Sequence, residues 1–249
     1  MTSGSLTLRI YPAIDLSAGQ VVRLHRGEMA AKTVYSDDPA AFAGAWAEAG
    51  ADFLHIVDLD GSFAGRPENL PAVRAILAAT ALPVQIGGGI RDLATIETYL
   101  EAGVARVILG TSAVRDRAFV EAALATYGPH VVIDIGARDG RVAVQGWAEA
   151  TDLDALEFAR QMEDAGALRF VFTDVASDGA LQGPNVAAQR AMAETLTAPL
   201  IASGGVAVLD DVRALAALAP LGVEGVIIGR ALYEGTIDLA AALAVAAEA

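Results

Sequence analysis

The sequence predicts an α/β protein with one domain, a closed (β/α)8 TIM barrel that spans all 249 residues. Three observations predict it: short apolar runs rich in β-branched residues alternate with Ala-rich helical runs, the composition has no break, and motifs recur at a fixed interval. The segment 107–110 returns at 226–229, which predicts two half-barrels at about residues 6–127 and 128–249. An open doubly wound sheet is the structural rival. It usually has fewer strands and a G-x-G-x-x-G turn after its first strand, which this sequence lacks.

Eight apolar runs are the predicted barrel strands. Their apolar residues are continuous rather than alternating, as expected when both faces of a strand are buried. The predicted strands cover residues 8–14, 53–57, 83–86, 106–109, 131–135, 170–172, 199–202 and 225–228.

Amphipathic segments with capping signals lie between these runs and predict the helices of the barrel. The predicted helices cover residues 40–49, 70–79, 93–102, about 116–127, 153–165, 186–195 and 211–218. The residues that mark or precede their starts are Asp38, Asn69, Asp92, Asp116, Asp152, Asn185 and Asp210. Glycines follow several of the helical runs, at the position where a helix commonly ends.

The composition excludes several classes of function. The net charge is −14, and an acidic surface repels nucleic acid and anionic membranes, so we expect neither as a partner. The absence of Cys excludes disulfides and thiolate metal sites, and no apolar run is long enough to span a membrane. No signal peptide is recognisable, so we expect a cytoplasmic protein, and we expect a monomer. Because the overall charge also repels phosphate, any phosphate site must be local, built from backbone N–H groups and helix N-termini.

Glycine-rich turns follow four of the predicted strands, in two matched pairs. Glycines let the backbone approach an oxyanion closely, and the helix that follows offers N–H groups and the positive end of its dipole. Loops after strands seven and eight commonly bind phosphate in barrels. Here the same motifs also follow strands three and four, so we predict two phosphate sites and a ligand with a phosphate at each end. The predicted phosphate-binding residues are Gly88, Gly89, Arg91, Gly110, Thr111, Gly204, Gly205, Gly229 and Arg230.

Five further residues are candidates for binding or chemistry. Asp15 ends the first strand, where an Asp is either a loop cap or a general acid or base, and the barrel position favours the chemical role. His55 is either a hydrogen-bonded core residue or a ligand contact. Thr173, at the end of the sixth strand, can orient a carboxylate. Asp178 precedes a glycine, and considered by itself this Asp-Gly sequence is better explained by a turn. Trp147 is either a core residue or a plate on which a planar ring stacks.

Motifs along the whole chain resemble one family. They are Tyr-Pro-Ala-Ile-Asp-Leu at 11–16, Gly-Gln-Val-Val-Arg-Leu at 19–24, His-Ile-Val-Asp-Leu-Asp-Gly at 55–61, Gln-Ile-Gly-Gly-Gly-Ile-Arg at 85–91, and Thr-Asp followed by Asp-Gly and Gln-Gly-Pro-Asn at 173–185. In their order and spacing they resemble the ProFAR isomerase family of histidine biosynthesis. The chain is more distantly similar to the imidazole glycerol phosphate synthase cyclase subunit, where a Lys-Gly is expected in place of Arg23-Leu24.

The resemblance implies an isomerase that performs an Amadori rearrangement, in which the aminoaldose ProFAR becomes the aminoketose PRFAR, without a metal or redox cofactor. It implies that Asp15 is the general base. The implied substrate contacts are Arg23, His55 and Trp147. The implied supports of the catalytic pair are Thr173 and Asp178.

Three alternatives remain open from the sequence. A bifunctional isomerase that also acts on phosphoribosylanthranilate shares this scaffold. The cyclase relative would need ammonia and a glutaminase partner. A barrel that binds a phosphosugar without catalysis is the alternative from a different class.

The fifth strand departs from the family pattern. The family has a second Asp there as general acid, in an Asp-x-Arg-x-Gly pattern before a Gly-Trp. Counted back from Trp147, that position holds Gly136, and Asp134 lies two residues earlier. Two residues along a strand keep the same face but move the side chain by roughly 6–7 Å. Because a buried unpaired carboxylate is costly, we expect a two-residue shift or bulge that brings Asp134 to the rim as the acid; Asp139 is the less favoured substitute.

Overall fold

Eight parallel strands close into a barrel, so the predicted fold class is confirmed. The computed structural model describes residues 8–25, 28–144 and 149–248. The strands in chain order are β1 Arg9–Ser17, β2 Gln20–His25, β3 Glu28–Ser36, β4 Leu54–Asp58, β5 Val84–Gly87, β6 Arg106–Leu109, β7 Val131–Arg138, β8 Arg141–Val144, β9 Glu149–Asp154, β10 Phe170–Asp174, β11 Leu200–Ser203 and β12 Val223–Ile228. The ring runs β1-β4-β5-β6-β7-β10-β11-β12 and closes where β12 pairs with β1.

Helices follow the barrel strands and pack around them. They are α1 Pro39–Glu48, α2 Leu59–Ala64, α3 Leu70–Ala79, α4 Leu93–Glu101, α5 Thr111–Arg115, α6 Arg117–Tyr127, α7 Ala155–Asp164, α8 Val186–Thr195, α9 Leu209–Ala216, α10 Arg230–Tyr233 and α11 Leu239–Ala247. The short helices α2, α5 and α10 and the terminal α11 were not among the predicted helices. In the part of the chain that the structure describes, no helix has the length and apolar character needed to cross a membrane.

The start of α7 differs from the prediction. Asp152 lies within β9 and does not cap the helix. Asp154 caps it instead, because its Oδ1 accepts hydrogen bonds from the backbone N–H groups of Leu156 and Glu157, each at 3.1 Å. In a similar way, Asp210 lies inside the first turn of α9 rather than before it.

Two antiparallel hairpins extend from the barrel at matched places, and neither was predicted. The pair β2–β3 follows β1, and the pair β8–β9 follows β7. Each hairpin begins with a left-handed residue and a glycine: Ala18 and Gly19 have φ of 51° and 77°, and Asp139 and Gly140 have φ of 51° and 75°. The strands β3 and β9 contain charged residues, so they lack the continuous apolar run that marks a barrel strand.

The barrel interior is filled at its N-terminal end. Inward-facing Tyr11, Val132 and Val171 belong to an apolar cluster inside the ring. Below them Arg169 Nε donates to Glu224 Oε1 at 2.6 Å, an ion pair at the starts of β10 and β12. A cavity opens at the opposite, C-terminal end, which is where barrels bind their ligands.

Candidate active site

A cavity of about 580 Å³ opens at the C-terminal ends of the barrel strands. That volume is in the usual range for a small-molecule site. The predicted site residues that line it are Asp15, Arg23, His55, Gly88, Gly89, Arg91, Gly110, Thr111, Asp134, Thr173, Asp178, Gly204, Gly205, Gly229 and Arg230. The other predicted residue, Trp147, lies outside the described residues.

Two helix starts on this cavity have nearly the same backbone conformation. Gly110 precedes α5 with φ −104° and ψ −95°, and Gly229 precedes α10 with φ −108° and ψ −96°. No side chain at the N-cap position caps either helix, an arrangement that suits an anion at each start. The turns of both predicted phosphate sites therefore open on one cavity rather than on different faces of the molecule.

Glycine is required at the two other turns, which follow β5 and β11, because another loop approaches each of them closely. Gly89 has φ of 74°, and a Cβ on it would lie 2.0 Å from the carbonyl oxygen of Gly61. Gly205 has φ of 89°, and a Cβ there would lie 2.4 Å from the carbonyl oxygen of Gly183. Each glycine turn is therefore packed against the loop that follows the neighbouring strand.

Two buried carboxylates hold those neighbouring loops. Asp58 Oδ1 accepts a hydrogen bond from Asn69 Nδ2 at 2.7 Å, so the Asn69 side chain serves this loop and does not cap α3. In the matched loop, Asp174 accepts from Asn185 Nδ2 and from the backbone N–H of Ser177, each at 3.0 Å. These carboxylates stabilise the loops, so we assign them no chemical role.

We expect Gly89→Ala to lower the free energy of unfolding by at least about 3 kcal/mol, because its Cβ would overlap the carbonyl oxygen of Gly61. Gly103→Ala is the matched control, since Gly103 also has a positive φ, 103°, but no atom lies within 4 Å of a Cβ there. This control should lose only about 1–2 kcal/mol, the cost of the unusual backbone conformation. Denaturant unfolding measures both values, and equal losses would show that the close approach does not require glycine.

One arginine lies at each of the two predicted phosphate sites. Arg91 Nη2 donates to the carbonyl oxygen of Ser62 at 3.3 Å, and Arg230 Nη1 donates to the carbonyl oxygen of Gly179 at 2.6 Å. Backbone carbonyl groups thus hold both guanidinium groups at the cavity rim. The two guanidinium groups supply local positive charge. A phosphate site needs such a local source because the net charge of the protein is −14.

Asp15 and Arg23 form an ion pair in the cavity wall. Arg23 Nη1 lies 2.8 Å from Asp15 Oδ2, and the Arg23 guanidinium lies 5.6 Å from the ring centroid of Tyr233. Burial raises the pKa of Asp15 above its ordinary value; Arg23 opposes the rise and the negative Asp178 adds to it. A carboxylate with a raised pKa is a better proton acceptor, which suits a general base.

The strand β7 has no bulge at Asp134, so the expected two-residue shift to the rim is wrong. In continuous register with β10, Asp134 pairs with Val171 and Gly136 pairs with Thr173. The repeat agrees, because the left-handed residue of each hairpin turn follows Asp15 and Gly136 by the same three positions. Gly136 therefore corresponds to Asp15, and Asp134 lies one layer deeper in the barrel.

Protonation of the Asp134 carboxyl group, rather than a bulge in the strand, lowers the free-energy cost of burying it at this deeper layer. Asp134 faces the cavity against Gly110, and its Oδ1 is buried without a hydrogen-bond partner among the described atoms. Burial and the negative Asp178 raise the pKa of Asp134 to about 7, and a hydrogen bond with Thr173 opposes the rise. A carboxyl group with this pKa is about half protonated at neutral pH. It can hold a proton at the bottom of the cavity without a bulge in the strand.

The other titratable side chains of the cavity differ from this carboxyl group. Burial and the positive Arg23 lower the pKa of His55 to about 3, so the ring is neutral and can act through hydrogen bonds. Burial raises the pKa of Asp178, and Arg23 opposes that rise. Three carboxyl groups thus lie in one cavity with different electrostatic surroundings, the arrangement that separates proton donors from proton acceptors.

Three residues at or below the cavity were not singled out from the sequence. Phe63 lines the cavity although it is 62% exposed. The sequence feature that could have identified it is an aromatic residue shortly after the second predicted strand. Arg115 lines the cavity and donates to Glu149 Oε2 at 3.1 Å; it lies four residues beyond Thr111 in the same short helix. Gln85 is fully buried in β5, and the feature that could have identified it is a polar residue within an apolar strand.

The fold and the site together define a class: a (β/α)8 barrel with titratable carboxyl groups between two matched glycine-rich turns. A family model described as "Histidine biosynthesis protein" matches residues 9–238. The chain belongs to this histidine biosynthesis protein family, and the resemblance stated from the motifs is confirmed.

Individual relatives are similar over almost their whole length. The chain is 57% identical over 239 residues to the 1-(5-phosphoribosyl)-5-((5-phosphoribosylamino)methylideneamino) imidazole-4-carboxamide isomerase of Rhodospirillum rubrum, which covers 96% of this chain and 99% of the relative. Proteins with the same name from Dinoroseobacter shibae and Moorella thermoacetica are 57% and 53% identical. Each alignment covers 96% of this chain, and 99% and 98% of the respective relative.

Proposed function

We propose that this chain is the isomerase that converts ProFAR, a bis-phosphoribosyl imidazole carboxamide, to PRFAR in histidine biosynthesis. One observation carries the proposal: carboxyl groups in different electrostatic surroundings lie in one cavity between two matched turns. The relatives from Rhodospirillum rubrum and Dinoroseobacter shibae are named as isomerases of a compound with two phosphoribosyl groups. A ligand with two phosphates suits a cavity with two such turns.

In this proposal each phosphate of the substrate binds one pair of turns. The first site consists of Gly88, Gly89, Arg91, Gly110 and Thr111. The second consists of Gly204, Gly205, Gly229 and Arg230. With both ends bound, the reacting ribose lies between them and above the carboxyl groups, and binding at both ends lowers the entropic cost of orienting it.

Asp134 is the proposed general acid. In its protonated form it gives a proton to the ribose ring oxygen, and the bond between that oxygen and C1 breaks to leave a protonated Schiff base. The pKa of about 7 keeps the donor protonated in much of the protein near neutral pH. Thr173, on the neighbouring strand, lowers the pKa of Asp134 and is the proposed positioning residue.

Asp15 is the proposed general base. Its carboxylate removes the proton from C2, and the electrons of that C–H bond form a C1–C2 double bond while the Schiff base becomes an amine. C1 then gains a proton and the C2 hydroxyl loses one, which gives the ketone. Substrate and product are isomers, so the reaction needs no external oxidant or reductant. Asp178 and Arg23 adjust the basicity of Asp15 in this scheme.

The remaining expectations extend this proposal. The chain acts as a cytoplasmic monomer on a small bisphosphorylated substrate, with no nucleic-acid or membrane partner. The net charge of −14 supports the last two statements, because phosphodiesters and anionic lipids are repelled. Sedimentation of the purified full chain tests the monomer, and a concentration-dependent dimer would contradict it.

Conversion of the bisphosphate in D₂O tests the reaction directly. We expect the purified chain alone to convert the aminoaldose to the aminoketose, and NMR to show solvent deuterium at C1 of the product, where the new proton enters. Binding of the bisphosphate without conversion would instead support a barrel that only binds phosphosugars.

A further inference from the structure

A fully buried amide lies beside the ring of His55, away from the cavity wall. Gln85 on β5 pairs with His55 on β4, and its side chain is completely buried. Gln85 Nε2 lies 3.1 Å from His55 Nδ1. His55 itself lines the cavity. The amide therefore occupies Nδ1 of His55 and leaves Nε2 as the ring nitrogen for a ligand in the cavity.

This contact determines which ring nitrogen carries the proton. With Gln85 Nε2 facing the ring and Gln85 Oε1 buried without a partner among the described atoms, the amide donates and Nδ1 of His55 accepts. The ring is neutral, since burial and the positive Arg23 lower its pKa to about 3. A neutral imidazole has one N–H group, which is therefore on Nε2.

We propose that Gln85 is a positioning residue that fixes the tautomer of His55, so that Nε2–H is presented to the substrate as a hydrogen-bond donor. This inference rests on the proposed function. On β1, Ala13 pairs with His55, and Asp15 lies one layer above Ala13 on the same face. The donor is thus on the strand neighbouring the proposed base and one layer below it, where it serves the oxygen on C2 as the C2 proton is removed. The other tautomer would present a lone pair to that oxygen and repel it.

The tautomer can be measured on the wild-type chain without any ligand. The sequence contains three His residues, so long-range ¹⁵N–¹H NMR spectra of the ring nitrogens are simple to assign with one His→Gln variant each. His130 is an internal reference, because its Nδ1 lies 2.9 Å from the carbonyl oxygen of Ala105 and must carry a proton. We expect His55 to show the Nε2–H pattern, opposite to His130, and no titration between pH 5 and 8. An Nδ1–H pattern or a titration in that range would overturn the inference.

Two variants of Gln85 test its effect on the reaction. Gln85→Met removes the donor at similar length, so we expect mixed His55 tautomers and a kcat lower by about tenfold, with KM within about threefold. Gln85→Glu supplies an acceptor, which moves the neutral proton to Nδ1 and raises the pKa of the ring. Its kcat should fall as the pH rises through that pKa, since Nε2 carries a proton only in the cationic ring. Unchanged tautomers and pH profiles in both variants would contradict the role.

Gln189→Met is the matched control for a purely structural amide. Gln189 is also fully buried, and its Nε2 donates to the carbonyl oxygens of Phe172 and Ser203, each at 3.1 Å. This variant should lose stability but leave the His55 tautomer and the pH profile unchanged. If the chain fails to convert the bisphosphate, the spectrum of the wild type still decides the tautomer, so the two proposals fail separately.

Discussion

Asp15→Asn is expected to lower kcat by about 10³-fold, within the range that a positioned general base contributes. An amide cannot accept the C2 proton, whereas its oxygen can still accept the hydrogen bond from Arg23 Nη1 that spans 2.8 Å in the native chain. KM should therefore change by less than about tenfold. Steady-state kinetics separate the two effects, and exchange of the C2 proton with D₂O should disappear together with turnover.

Asp139→Asn is the control for this change. Asp139 is an exposed carboxylate in the turn of the second hairpin, with φ of 51°, a conformation that Asn adopts readily. Its kcat should match that of the native chain, which also tests Asp139 as the less favoured acid. Near-native turnover by Asp15→Asn would mean that another group is the base.

Asp134→Asn is expected to lower kcat by about 10²-fold or more, because ring opening loses its proton donor. The same variant should be more stable than the native chain at pH 8. The folded chain holds this proton up to about pH 7, and the unfolded chain releases it near 3.8. Burial of the charged carboxylate therefore lowers the free energy of unfolding as the pH rises between these values, and Asn removes that penalty. Denaturant unfolding should show the gain at pH 8 and none at pH 3.

The double variant Asp134→Asn with Gly136→Asp tests whether the layer matters. Gly136 lies in a β-strand beside Thr173, at the level that corresponds to Asp15. A carboxyl group placed there is nearer to the cavity mouth, so we expect it to recover at least about tenfold of the lost kcat. No recovery in a folded double variant would show that only the deeper position can donate the proton.

The barrel and its matched glycine-rich turns were predictable because repetition makes them visible. Eight continuous apolar runs mark strands buried on both faces, and the recurrence of 107–110 at 226–229 places matched turns at the ends of corresponding strands. The backbone angles of Gly110 and Gly229 agree to within a few degrees. Counting back from Trp147 also placed Gly136, not Asp134, at the position of the family's acid.

The depth of Asp134 could not be predicted from the sequence, because it depends on how burial is compensated. The expected bulge assumed a charged carboxylate, whereas a raised pKa allows a neutral one at the deeper layer. The role of Gln85 was hidden for a related reason. A buried amide matters here only through its contact with His55, a distance that no motif encodes. The hairpins were missed because their strands are partly polar.

The pH dependence of kcat/KM, which reports the titrating groups of the free protein, is the most direct test of the acid–base pair when the native chain is compared with Asp134→Asn. The base must be ionised, so activity should rise with pH through the raised pKa of Asp15. The acid must be protonated, so activity should fall as the pH rises through about 7. In Asp134→Asn the acidic limb should remain and the alkaline limb near pH 7 should vanish from the residual rate. An alkaline limb that persists unchanged in this variant would contradict Asp134 as the proton donor.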